Sequence, residues 1–232
     1  MAVAALRDTR RMEDGDEAVR LAVYRALAAT GGLPQLEELA QSTGLAPDAV
    51  SESLESLAAA RHLVFDDAHR IVLAHPFATR SFGFSVMGGR TLWWGGCAWD
   101  AFAIPHLVPD EPSALIATTC PACGTPHTWV VSRNVEPDAP QVAHFLTPVA
   151  HVWDDVIHTC EHQRIFCSPA CVDEWLARTG NDRGYVMDLA TLWRLAAHWY
   201  EGRLDSPYRR REPSEAKAYF ASVGLTGPFW GN

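Results

Sequence analysis

"TGLAPDAVSESLESLAAARHLVFDDAHRIVLAHP", residues Thr43 to Pro76, carries two periodicities in one run. In its first half Pro47 falls in a first helical turn, and Val50, Leu54 and Leu57 return to one face, so the spacing predicts a helix. In its second half "HLVFDD" and "HRIVLAH" read as two short strands around a polar turn. Two helices are expected upstream. From Asp16 to Ala29 the residues Ala18, Leu21, Ala22 and Leu27 recur at helical spacing until "TGGLP" stops the run, and a short helix follows from about Gln35 to Ser42. Three helices and a hairpin make a winged helix-turn-helix pattern, so residues 1–80 are expected to form a small winged-helix-like domain.

Working outward towards the C-terminus, the pattern changes after "HPFATRS". Segments such as "FGFSVM", "ALIATTC" and "HTWVVS" read as strands, and helices are expected near Cys97–Ile104, Pro169–Arg178 and Thr191–Glu201. Strands and helices do not alternate regularly. Residues 81–232 are therefore expected to form an α+β catalytic domain with a mixed or antiparallel sheet, not a doubly wound one. "NVEPDAPQ" is a loop, and the tail with the basic triplet Arg209 to Arg211 is expected to be solvated surface with one last short helix.

The 232 residues, 48% hydrophobic and 20% charged, have the composition of a soluble globular protein, with no run of eighteen apolar residues that would span a membrane. "MAVAALRDTRRMEDGDEAVR" turns charged too soon for a secretory signal, so the expected compartment is the cytoplasm. A net charge of -9 works against a nucleic-acid partner, which needs Lys and Arg to neutralise phosphates. The third helix carries Asp48, Glu52 and Glu55 and no basic residue before Arg61, while residues 1–80 hold eight arginines and no lysine against twelve acidic residues. DNA would be repelled by that helix. A packing or substrate-covering role is the stronger expectation for this unit, with small molecules or proteins as partners.

Six cysteines then focus the chemistry, because thiols in a reducing compartment serve as catalysts or metal ligands more often than as disulfides. "CPACG" pairs Cys120 with Cys123 on a turn, and "FCSPACVDEWL" pairs Cys167 with Cys171 at a helix start. A turn pair plus a helix-start pair is how a structural zinc site gathers four thiolates at about 2.3 Å each. The alternative is four reduced cysteines without a metal. No organic cofactor is expected. Cys97 and Cys160 are left without close cysteine neighbours, and a lone cysteine is ordinarily an inert apolar residue. In "GGCAWD", however, Cys97 falls at an expected helix N-terminus, which favours a thiolate, and Asp100 follows on the same face. A neighbouring carboxylate opposes that thiolate unless the pair shares a proton, and such a pair can act as nucleophile and general acid. Trp93, Trp94 and Trp99 either wall an apolar pocket or pack in the core. His158 and His162 flank Cys160 at helical spacing, and Asp154 and Asp155 read as capping or solvated residues.

"GGCAWDAFAIP", "HTCEHQRIFCS" and their order behind "HPFATRSFGFSV" resemble the alkylmercury (organomercurial) lyase family, over roughly residues 15–185. The resemblance implies that Cys97 and Cys160 take the mercury and that Asp100 moves the proton; of the tryptophans that could wall an apolar pocket, Trp94 and Trp99 are the ones expected to meet the organic group. One thiol would attack R–Hg, the second would join, and Asp100 would carry a thiol proton to the departing carbon to release R–H. Two soft sulfurs suit the soft Hg²⁺ left as bound product. A thiol carrier or a mercuric reductase would accept it. The chain has more cysteines than many members, and Cys120 resembles a structural cysteine of the family. Two other readings stand beside this one: a non-catalytic thiolate metal-binding or metal-sensing protein, and a lyase-fold enzyme acting on another carbon–heteroatom bond. The lyase reading requires Cys97, Asp100 and Cys160 to converge apart from the other four cysteines.

Overall fold

The computed structural model describes residues 14–231. The quoted stretch folds as its two periodicities predict. Helix α1 (Asp14–Thr30) buries Val19, Val23, Tyr24 and Leu27, α2 (Leu36–Thr43) packs beside it, and α3 (Pro47–Ala59) turns Val50 and Leu57 into the same core. A Gln35–Glu38 capping box opens α2, and Gly44 closes it at φ +72°, where a Cβ would be costly. Strands β1 (Val64–Phe65) and β2 (Ile71–Ala74) follow as an antiparallel hairpin. Its turn is held by the Asp66 carboxylate, which accepts the backbone N–H groups of Ala68 and Arg70.

The hairpin does not stand apart as a wing. Strands β3 (Phe77–Ala78), β4 (Phe84–Met87) and β5 (Leu92–Gly95) continue from it, the chain passes through helix α4 (Ala98–Leu107), and β6 (Ser113–Thr119) and β7 (Pro126–Ser132) complete one sheet. All seven strands pair antiparallel in the order β1-β2-β3-β5-β4-β6-β7. A second antiparallel sheet, ordered β10-β8-β9, comprises β8 (Val142–Phe145), β9 (Gln163–Phe166) and β10 (Tyr185–Asp188). Helix α5 (Val156–Glu161) leads into β9, α6 (Pro169–Thr179) leaves it, α7 (Leu189–Ala197) follows β10, and α8 (Pro213–Ser222) lies in the tail. The architecture is α+β with antiparallel sheets, as expected. Among the described residues no helix is long and apolar enough to cross a membrane.

Helix α4 is the centre of the molecule. Every residue from Ala98 to Pro105 is buried, because the helix packs on α7 on one side and on β4, β5, β6 and β9 on others. A helix apolar on all faces is stable only in such a core. Removing a side chain like Phe102, fully buried, costs about 3–5 kcal/mol in comparable cores. The first helix is bolted to this centre by polar contacts: the Trp93 indole donates to the Leu27 carbonyl at 2.9 Å, and buried Arg20 donates to the carbonyls of Arg203 and Asp205 at 2.7 and 2.6 Å. On the outer face of α3, Asp48, Glu52 and Glu55 are exposed.

Candidate active site

Two glycines set the first half of the site. Gly95 lies between Phe77 and Phe84 in the sheet, and a Cβ there would come within 2.8 Å of Ala101. A Cβ on Gly96 would come within 2.5 Å of Asp100 Oδ2 and 2.7 Å of Leu73 Cδ2. Without side chains at these positions β5 can end directly against the start of α4. Cys97 is the N-cap of that helix, its Sγ accepting the Asp100 N–H at 3.4 Å, and Asp100 points back from the first turn. Cys160 arrives on α5, a six-residue helix capped by the Asp155 carboxylate through the His158 N–H at 2.9 Å. There Cys160 lines the same cavity as Cys97, near enough for each thiol to shift the other's titration. Cys97, Asp100 and Cys160 line one cavity, while the other four cysteines gather elsewhere.

Asp100 is fully buried, with both oxygens engaged. Tyr200, just past α7, donates its hydroxyl to Oδ1 at 2.5 Å, and His75 Nδ1 lies 2.9 Å from Oδ2. One ligating atom from each of His75, Asp100 and Cys160 lies within 4.8 Å of the others. Arg203 backs this group, donating to the His75 carbonyl at 2.6 Å and the Tyr24 hydroxyl at 3.0 Å. Burial pushes the Cys97 thiol well above its usual range, helped by the Cys160 hydrogen bond and the Asp100 charge. At Cys160 the hydrogen bond from Cys97 pulls downward, but burial and Asp100 outweigh it and the thiol is raised. Desolvation and the Asp100 charge thus oppose the Cys97 thiolate that a helix N-terminus favours, the opposition that the sequence already suggests. Burial, Asp100 and Cys97 also push the Tyr200 phenol well above its usual range, which keeps it a donor.

These groups form one end of a cavity of about 600 Å³. Trp99, expected to meet the organic group, lines it, its ring 4.8 Å from that of Trp199 at a 46° tilt, and Trp199 in turn stacks at 5.1 Å on Phe220. Trp94 does not line it, a correction to the expectation: paired in the sheet with Ala78 and Ser85, it packs half-buried against the main core instead. Trp153, Trp199 and Trp230 line the cavity together with Trp99. The tail departs from expectation too, since Arg210 and Arg211 of the basic triplet face the cavity, while Arg209 pairs with Glu215. His75, Tyr200 and Arg203 are the functional residues that the sequence reading missed, although "HPF" had marked the neighbourhood of His75.

The model of the alkylmercury lyase family matches residues 77–201, more than half of the chain. The chain belongs to the alkylmercury lyase family. Among solved structures, one described as the mercury-bound form of MerB2 is similar in fold, with a TM-score of 0.63 at 16% identity over 84% of this chain and 94% of that one. No curated protein matches the sequence. As a member of the alkylmercury lyases the protein is an organomercurial lyase, an enzyme acting on carbon–mercury bonds. The segment matched to the alkylmercury lyases runs from β3 to the turn holding Tyr200, and contains Cys97, Asp100 and Cys160.

The same segment of this lyase holds the four remaining cysteines. Cys120 and Cys123 sit on the turn after β6, where the Gly124 N–H returns to the Cys120 carbonyl at 2.9 Å and Gly124 takes φ +72°. Cys167 follows β9, and Ser168 caps α6 through the Cys171 N–H at 3.4 Å. The four sulfurs lie within 4.8 Å of one another, with Cys123 and Cys167 at 3.5 Å. Four thiolates around one zinc would be about 3.8 Å apart, so the spacing fits that ion with little adjustment. His127 Nε2 lies 3.4 Å from the Cys167 sulfur, the place of an outer hydrogen bond to a metal ligand. The cluster ties β6 of one sheet to β9 of the other.

Proposed function

We propose that Cys97, Cys160 and Asp100 carry out protonolysis of R–Hg–X to R–H. The observation that carries this is the convergence of two buried thiols on one buried carboxylate at the end of an apolar cavity. One thiol attacks mercury and its proton leaves with X as HX. The second thiol gives its proton to Asp100 and also joins mercury. The two thiolates donate density to a three-coordinate mercury, which weakens the carbon–mercury bond and raises the electron density on carbon. Asp100 then delivers its proton to carbon as that bond breaks, so R–Hg–X and two thiols become R–H, HX and a bis-thiolate Hg²⁺ complex. Tyr200 and His75 keep Asp100 aimed at the sulfurs. Trp99 and its aromatic neighbours receive the organic group.

Cys120, Cys123, Cys167 and Cys171 would hold a structural Zn²⁺, which would supply a cross-link between the two sheets and no chemistry to the reaction. The Hg²⁺ product would pass to a thiol carrier or a mercuric reductase in the cytoplasm, where free thiols persist. Residues 1–80 serve as a unit that covers the cavity, through Arg61 and His75, and the acid face of α3 argues against a DNA role. One turnover with one equivalent of phenylmercury in D₂O tests the reading. It should give monodeuterated benzene and leave one Hg²⁺ per chain on two sulfurs by mercury X-ray absorption. Benzene without retained mercury, or mercury retained on the four-cysteine cluster, would refute it.

A further inference from the structure

The charge lining the cavity runs against the charge of the chain. Arg61, Arg203, Arg210, Arg211 and Lys217 face it, against only Asp100 and Asp154, in a protein of net charge -9. Both acids are occupied nearby, Asp100 by His75 and Tyr200 and Asp154 by His151 at 2.8 Å. Three of the cations donate their hydrogen bonds to neutral oxygens, and Arg211 also acts on the Glu215 charge. Arg203, 6% exposed, donates to the hydroxyls of Tyr24 and Tyr208 and to the His75 carbonyl, Arg210 to the Ala60 carbonyl, and Arg211 to the His198 carbonyl. Among the described residues none of the five forms an ion pair with a carboxylate, whereas neighbouring Arg209 pairs with Glu212 and Glu215. Arg61 and Arg210 close on the Trp153 ring, at 5.5 and 5.1 Å from its centre. Burial, then the charges of Arg203 and Arg61, lower the Arg210 pKa, a sign of like charges held together.

Crowded cations beside a cavity are costly unless an anion joins them. All five lie outside residues 77–201, so the segment that holds the thiols and the segments that hold the cations are separate parts of the chain. We infer that this cationic mouth selects organomercury species that bear a carboxylate, either on the organic group or on the thiolate X that brings the mercury in. This rests on the protonolysis reading above. The carboxylate sits between Arg61 and Arg210 over Trp153, and Arg203 extends the positive field towards the thiols. The mercury is thereby pointed at Cys97 and Cys160.

The test compares kcat/KM within two substrate pairs, in wild type and in Arg61→Gln/Arg210→Gln. One pair is 4-mercuribenzoate against phenylmercury, with the anion on the organic group. The other is methylmercury as its glutathione adduct against its cysteamine adduct, with the anion on the thiolate. Wild type should prefer the anionic member of at least one pair by about tenfold, as one added charge contact allows. In the double variant and at high salt that ratio should fall towards one. The pair that shows the preference identifies which end carries the carboxylate. Ratios near one in wild type, or a ratio that the double substitution leaves unchanged because all substrates slow equally, would overturn the inference while leaving the lyase reading intact. If no substrate is cleaved, the lyase reading fails, and the ratio of dissociation constants for the same pairs decides the anion preference by itself.

Discussion

Gly96→Ala is the smallest change that should disable the site. The new methyl would stand 2.5 Å from Asp100 Oδ2 and 2.7 Å from Leu73 Cδ2, so one or both must retreat by about 1 Å to reach ordinary contact. Leu73 is fully buried in the sheet and has little room. Asp100 is held by Tyr200 at 2.5 Å and by the His75 ring at 2.9 Å, so its retreat stretches or breaks one of these bonds. Overpacking of this kind costs about 1–3 kcal/mol of stability, which a urea titration would read. Displacing a proton donor by about 1 Å costs about 100-fold in rate. Benzene release from saturating phenylmercury should fall by that factor, while Hg²⁺ binding by the two thiols persists. A Gly96→Ala enzyme within about twofold of wild-type kcat would refute the claim that Asp100 position limits the reaction.

Tyr200→Phe removes one hydrogen bond to the Asp100 carboxylate, worth about 1.5–3 kcal/mol for a charged acceptor, so kcat should fall about 10- to 100-fold with little change in KM; an equal fall for Tyr219→Phe, remote from Asp100, would argue against a specific role. Acid should destabilise the fold through two histidines that burial holds neutral, with Arg203 adding to the effect at His62 and Arg183 at His144: their pKa values drop from 6.5 to about 3 and about 4. The folded state then binds fewer protons than the unfolded chain, so stability is present above pH 6.5 and lost as pH falls towards these values, about 2 kcal/mol per histidine between pH 7 and pH 5. The His144 ring is packed against Phe166 and Trp175 with neither nitrogen hydrogen-bonded, so His144→Leu should flatten that dependence, and an unchanged slope in urea titrations would contradict it. Cys123→Ser should lower zinc content by elemental analysis and the melting temperature while leaving benzene release from phenylmercury near wild type; full zinc content would remove that cysteine from the ligand set.

Local patterns were legible in the sequence and distant pairings were not. The apolar face of α3 and the turn of the β1–β2 hairpin are written within a few residues of each other, so their spacing alone identifies them. That the hairpin continues into the seven-stranded sheet depends on β3 pairing with both β2 and β5, a non-local choice that no short pattern encodes. Sorting the cysteines by spacing isolated Cys97 and Cys160, because each four-cysteine half is a compact motif. His75 and Tyr200 reach Asp100 from 25 and 100 positions away, as a histidine before a proline and a tyrosine after a helix, and neither context announces a partner. Arg210 read as surface because a basic triplet is usually solvated. Its neighbours in space, Ala60 and Trp153, belong to other parts of the chain.

The account stands most directly on benzene release from phenylmercury by Cys97→Ser, Cys160→Ser and Asp100→Ala measured beside wild type, each checked for a wild-type unfolding midpoint and zinc content. The thiol pair and proton carrier predict a loss of at least about 100-fold in each of the three. Benzene released at the wild-type rate by any of them would contradict the assignment of that residue, and by all three would remove the site.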